Sequence, residues 1–128
     1  MTEQQFDKTV TDTLEHIKNL LIVKGVEYRR EKNVFHNFEE GAKRTGLIRE
    51  KVLDGMLLKH EISIADMTND LEKGILPKVN TVNEKFDDNI IYLLLKKASI
   101  VDRIDNKSNI NQKTVSFSKI IDEPNKST

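Results

Sequence analysis

Glu84 and Asp88 stand four residues apart in a stretch of helical periodicity, so their carboxylates leave the same side of one helix. Such a pair suits Mg2+, a hard cation that takes one or two protein oxygens and fills its other positions with water and substrate phosphate. The pair equally fits a first-turn role, because acidic residues at a helix start are favoured by the macrodipole. His60 is the second residue with chemical potential. It falls on an apolar stripe with Val52, Met56, Ile64, Met67 and Leu71, in a helix predicted from about Leu47 to Lys73. Ser63 joins this face, and Lys59, Asp66 and Asp70 line its edge. An ionisable ring among apolar neighbours is either a hydrogen-bonded core residue or part of a polar pocket between helices. If the first, third and fourth predicted helices share a cleft, Glu27, Asp66 and Asp70 meet Glu84 and Asp88 there. Tyr28, Phe35 and Phe38 are available to stack on a base or to fill a core, and Lys24, Arg29 and Lys59 to contact phosphate.

Other chemistries are excluded or lack a signature. The chain has 0 cysteines, which removes disulfides, thiol catalysis and Cys-based zinc sites. It contains no G-x-S-x-G, no glycine-rich phosphate loop and no H-E-x-x-H pair, so phosphate recognition falls to Lys, Arg and metal. With 21 basic and 21 acidic residues the formal charge is zero, and no global field draws the protein to nucleic acid or to an anionic membrane. No apolar run reaches membrane-spanning length, and the N-terminal residues carry no apolar signal segment. The expectation is a cytoplasmic protein that engages neither membrane nor nucleic acid directly.

The elements that must position these residues are helices. Phe6, Val10, Leu14, Ile17, Leu20 and Leu21 recur at three and four residues and predict a first helix from Thr2 to Lys24. Asn37 with Glu40 has capping-box spacing, predicting a short helix from Phe38 to about Arg44 that stops at Gly46. The long helix bearing His60 follows, ended by Gly74 and Pro77. Its far side carries Leu58, Ile62 and Ala65, a second apolar strip that predicts a helix either central or shared with another subunit. Thr81 with Glu84 repeats the capping-box spacing and opens a fourth helix from about Val82 to Ile104, with Phe86, Ile90, Leu93, Leu94 and Val101 on one face. With 128 residues and only 5% aromatics, the chain predicts one all-α, four-helix-bundle-like domain over residues 1–105. Residues 106–128 are rich in Asn, Lys, Ser and Gln, lack helical periodicity and predict a polar tail, with Val115, Phe117, Ile120 and Ile121 able to dock on a groove.

Four stretches taken together resemble one family. They are Lys24-Gly25-Val26-Glu27-Tyr28, Phe35-His36-Asn37-Phe38, Gly55-Met56-Leu57-Leu58-Lys59-His60 with Ser63-Ile64-Ala65-Asp66-Met67, and Glu84-Lys85-Phe86-Asp87-Asp88 running into Tyr92-Leu93-Leu94-Leu95. This order is similar to the phage and bacterial branch of the MazG-like all-α nucleoside triphosphate pyrophosphohydrolases, near the nucleotide modification associated domains, and spans roughly Leu20 to Ile100. The resemblance implies an oligomeric helical bundle that binds Mg2+ and cleaves a nucleotide to a monophosphate and pyrophosphate. It implies Glu27, Glu84 and Asp88 as metal ligands, His60 and Asp66 as catalytic residues bordering the pocket, Asn37 and Phe38 against the nucleotide, and Lys24 and Lys59 on phosphate. Such chemistry needs no side-chain nucleophile, because metal ions neutralise phosphate oxygens and help to generate an attacking water. The chain departs from the family pattern at two places: the E-x-x-E pair of an earlier helix is absent, and Ile91 replaces the Asn before Tyr92. Those departures keep a second expectation open, a bundle of reduced catalytic capacity that binds a nucleotide or a protein partner in regulation or phage–host interaction.

Overall fold

In a computed structural model of the chain, the described residues are 1–25, 29–30 and 32–126; side chains are described as far as residue 107, apart from that of residue 24. The protein is all-α. Helix α1 is Glu3–Lys18, followed by a π-helical segment Asn19–Lys24. Helix α2 is His36–Thr45, α3 is Arg49–Glu72 and α4 is Val79–Lys126. The described residues contain no strand, and an isolated bridge joins Arg30 and Asn33. Among them no helix is long and apolar enough to cross a membrane. The chain divides into two compact units, Met1–Lys96 and Lys97–Thr128.

Local chemistry sets the helix ends. Thr2 opens α1 with a capping box: its hydroxyl accepts from the Gln5 amide at 3.1 Å, and the Gln5 side chain accepts from the Thr2 amide at 2.8 Å. The expected box of Asn37 and Glu40 does not form. Helix α2 begins two residues earlier, so Asn37 lies inside it and Glu40 pairs with Lys43 instead. Asn33 leads into the helix, its side-chain oxygen accepting from the Phe35 amide at 3.0 Å and its amide nitrogen donating to Glu39 at 2.8 Å. The second expected box fails for the same reason, since α4 starts at Val79 and leaves Thr81 within its first turn. The predicted stops hold. Gly46 ends α2 with φ 72°, and Gly74 follows α3 with φ 77°. There the Gly74 amide bonds the Leu71 carbonyl and the Ile75 amide the Asp70 carbonyl, a Schellman turn whose left-handed position favours glycine.

The core of the first unit is small and sits under α3. Leu53 is 0% exposed and Leu57 5%, joined by Ile17 of α1 at 3%. Glu50, Leu53, Leu57, His60, Ile64 and Met67 form the inward face of α3, at alternating steps of three and four. This corrects the stripe expected from sequence: Met56 is 43% exposed and Leu71 also lies in solvent, while Val52, Ile64 and Met67 are half-buried. The inward face carries a carboxylate, so hydropathy alone turned the stripe away from it. Arg49 compensates Glu50 at 3.5 Å, reaches Glu39 of α2 at 3.1 Å and lies 4.4 Å from the centre of the Phe35 ring. Leu58 and Ile62 are exposed, so the second apolar strip is left open by the described residues.

Helix α2 approaches α3 at Gly41, where an added Cβ would come within 2.9 Å of a Val52 methyl. Gly41→Ala is therefore expected to destabilise the fold by about 1–3 kcal/mol through overpacking. Gly55, in mid-helix with open space around it, is the control: Gly55→Ala is expected to stabilise by about 0.5–1 kcal/mol. Urea denaturation of the two variants checks the opposite signs, and equal shifts would contradict the close approach.

Lys96 of α4 reaches Asp54 of α3 at 2.5 Å, and this hydrogen bond holds the Asp54 carboxyl below its ordinary range. A depressed carboxylate supplies stability above its unfolded pKa, lost as pH falls through the lower folded value. In the second unit the backbone remains helical as far as Lys126, beyond Asp105 where the apolar periodicity ends. The Asn106 amide donates to Asp102 one turn earlier at 3.4 Å. The side chains of Val115, Phe117, Ile120 and Ile121 lie outside the described residues.

Candidate functional site

Three helices of the first unit bring an aromatic group together. Tyr92 of α4 sits between His60 of α3 and Phe38 of α2. The His60 ring stacks on Tyr92 with centroids 5.1 Å apart and planes at 22°, whereas Phe38 meets it edge-on at 6.4 Å and 77°. His60 is half-buried, so the ring that interrupts the apolar stripe is held by an aromatic face. Beside this group lies a cavity of ≈ 270 Å³, lined by Leu20, Leu21 and Gly25 of the first helical stretch, by Arg29, Asn33 and Val34, by His36, Asn37 and Phe38 of α2, and by Tyr92 and Leu95. It is apolar on most sides with a few convergent polar groups, as small-molecule sites are.

The π-helical segment helps to build one wall. Its wider turn displaces carbonyls from the α-helical ladder, and the Leu21 carbonyl accepts from the Arg29 guanidinium at 2.8 Å. The guanidinium passes close to Gly25, where a Cβ would stand in ordinary van der Waals contact with the same nitrogen at 3.4 Å. Arg29 is thus fixed at the cavity by this bond.

Of the residues expected from sequence, Asn37 and Phe38 line the cavity, and His60 backs its Tyr92 wall. Glu84, Asp88 and Tyr92 follow at intervals of four on α4, which puts both carboxylates on the Tyr92 side of that helix. Glu84 is exposed and Asp88 half-buried, and neither enters a hydrogen bond or ion pair among the described residues. Two uncommitted carboxylates one turn apart fit the oxygen donors that Mg2+ takes, with the rest of its shell left to water and phosphate. Among the described residues no group of three or more acidic, His or Cys side chains converges on one point. Glu27 and Tyr28 lie outside the described residues, as does the Lys24 side chain. Lys59 and Asp66 are exposed on α3, and six residues of helix carry Asp66 well round from His60. The structure does not bring those two together.

Sequence reasoning missed two features. Asn33 escaped notice because Asn37 offered the better capping spacing. The second is His16 of α1, whose Nδ1 lies 2.6 Å from the buried carboxylate of Asp87 on α4. This contact spans 71 residues, and no local pattern announces it. It stands at the end of a cleft of ≈ 640 Å³ between α1 and the start of α4, lined by Gln5, Thr9, Asp12, Thr13 and Asn83 among others. Comparison of the chain with protein-family models, with curated proteins and with solved structures finds no match in any of the three.

Proposed function

We propose that the protein is a Mg2+-dependent, MazG-like nucleoside triphosphate pyrophosphohydrolase of the cytoplasm. The observation that carries the reading is the aromatic wall of Phe38 and Tyr92 beside a cavity that also holds Asn37 and Arg29. An aromatic face accepts a nucleobase, a side-chain amide meets its polar edge, and a fixed guanidinium suits phosphate. His60 keeps Tyr92 in place by stacking. Glu84 and Asp88 would hold the metal, joined by Glu27, with Lys24 and Lys59 on the outer phosphates. Bound Mg2+ supplies charge neutralisation and an activated water. In the balanced reaction, water attacks the α-phosphorus, the bond from that phosphorus to the bridging oxygen breaks, and pyrophosphate leaves with a nucleoside monophosphate. The exposed Leu58 and Ile62 strip supports a homo-oligomer, dimer or tetramer, by offering apolar surface to another copy.

Calorimetric titration with nucleoside triphosphates in the presence of Mg2+ tests the cavity. Tyr92→Ala is expected to weaken binding by roughly tenfold or more, because base stacking contributes about 1–3 kcal/mol. Asn69→Ala, exposed on the far face of α3, is expected to leave the affinity unchanged. Equal affinity in wild type and Tyr92→Ala would overturn the assignment of the base site.

A further inference from the structure

We infer that the first three turns of α1 form an arm that pairs antiparallel with the same arm of a second copy of this chain. The inference does not rest on the nucleotide reading. Every residue from Met1 to Asp12 is exposed, and α1 first becomes buried at Ile17. Phe6, Val10 and Leu14 lie at steps of four on one face, with 58%, 42% and 60% of their surfaces in solvent. Apolar spacing predicted the helix here, yet the described residues leave this face uncovered. The side of α1 that looks across the cleft to α4 is the polar one, with Gln5, Thr9 and Asp12.

Most helical stability in proteins comes from packing an apolar face, and this part of α1 packs its apolar face on none of the described residues. The arm is also poor in helix formers, since Thr9, Val10, Thr11 and Thr13 are all β-branched. Its capping box and its Lys8–Asp12 pair contribute little, the latter being fully exposed. The arm therefore needs a partner surface that is apolar at four-residue steps.

A second copy fits that requirement by symmetry. In an antiparallel pair with its two-fold axis at Val10, Phe6 of each copy meets Leu14 of the other, and Val10 meets itself. The charges agree: α1 carries Glu3 in its first turn and Lys18 in its last, so antiparallel pairing about Val10 sets these opposite ends together and brings Lys8 of each copy to Asp12 of the other. A parallel pair would set like ends together.

The absence of cysteine makes the test clean. Single-cysteine variants Val10→Cys and Glu3→Cys of the full chain are oxidised under identical conditions, and covalent dimer is followed on gels. Residue 10 lies on the proposed axis, whereas the two copies of residue 3 stand roughly 20 Å apart at 1.5 Å per residue. Val10→Cys is expected to cross-link at least tenfold faster. Sedimentation of a Leu14→Glu variant is expected to show half the assembled mass of the wild type, with lower helicity. The proposal is overturned if the wild type is a monomer at all concentrations, if the two cysteine variants cross-link at one rate, or if Leu14→Glu leaves the assembly intact.

Discussion

Leu53→Ala is expected to cost roughly 3–5 kcal/mol, the upper part of the range for burying a cavity in place of a leucine side chain. Leu53 is wholly enclosed at the centre of the inward face of α3, one turn from Leu57 and one from Glu50. Ile17 and Leu57 are the other buried apolar side chains among the described residues, so Leu53 supplies a large share of a small core. A domain of this size loses about 4–8 °C of melting temperature per kcal/mol, and native stability is only about 5–15 kcal/mol. The variant should therefore melt at least 10 °C lower, by roughly that conversion, or fail to fold. Glu61→Ala, at an exposed position of the same helix, should stay within about 0.5 kcal/mol of wild type. Thermal unfolding by circular dichroism separates the two, and similar melting temperatures would mean that the inward face has been misplaced.

The second large effect concerns the carboxylates of α4. Glu84→Ala and Asp88→Ala should each lower metal-dependent turnover by roughly 100-fold or more, since the metal's charge stabilisation is worth several kcal/mol. Stability should barely change, because Glu84 is exposed and neither carboxylate is engaged within the described residues. His60→Ala should behave differently. It removes the ring stacked on Tyr92, with a loss of about 1–3 kcal/mol from packing, and releases Tyr92 from its position beside the cavity. Turnover assays paired with melting curves check the contrast. Unfolding of the carboxylate variants, or a His60→Ala protein as stable as wild type, would reverse these roles.

Much of the fold was legible in the sequence because its signals are local. Apolar spacing marked the helices, and Gly46 and Gly74 marked two of their ends through a left-handed conformation that glycine adopts freely. The phase of α3 was harder to read. That helix carries apolar residues on more than one side, and its buried face includes Glu50, whose charge is met by an arginine that only the fold brings into place. Capping was misread at Asn37 and Thr81 because the four-residue spacing is necessary for a box but does not fix where a helix begins. At the site, Asn37, Phe38 and His60 were legible as residues that share one region, while their common neighbour Tyr92 joins them through packing between helices. The contact of His16 with Asp87 had no sequence signal, since each lies in an ordinary charged stretch of its own helix.

Pyrophosphate release from a panel of canonical and modified nucleoside triphosphates, measured on the wild type with Mg2+ and with EDTA, decides whether the protein is a nucleotide pyrophosphohydrolase. Release is expected with at least one nucleotide, stoichiometric with its monophosphate and abolished by EDTA. Nucleotide binding without pyrophosphate release at any Mg2+ concentration would contradict it.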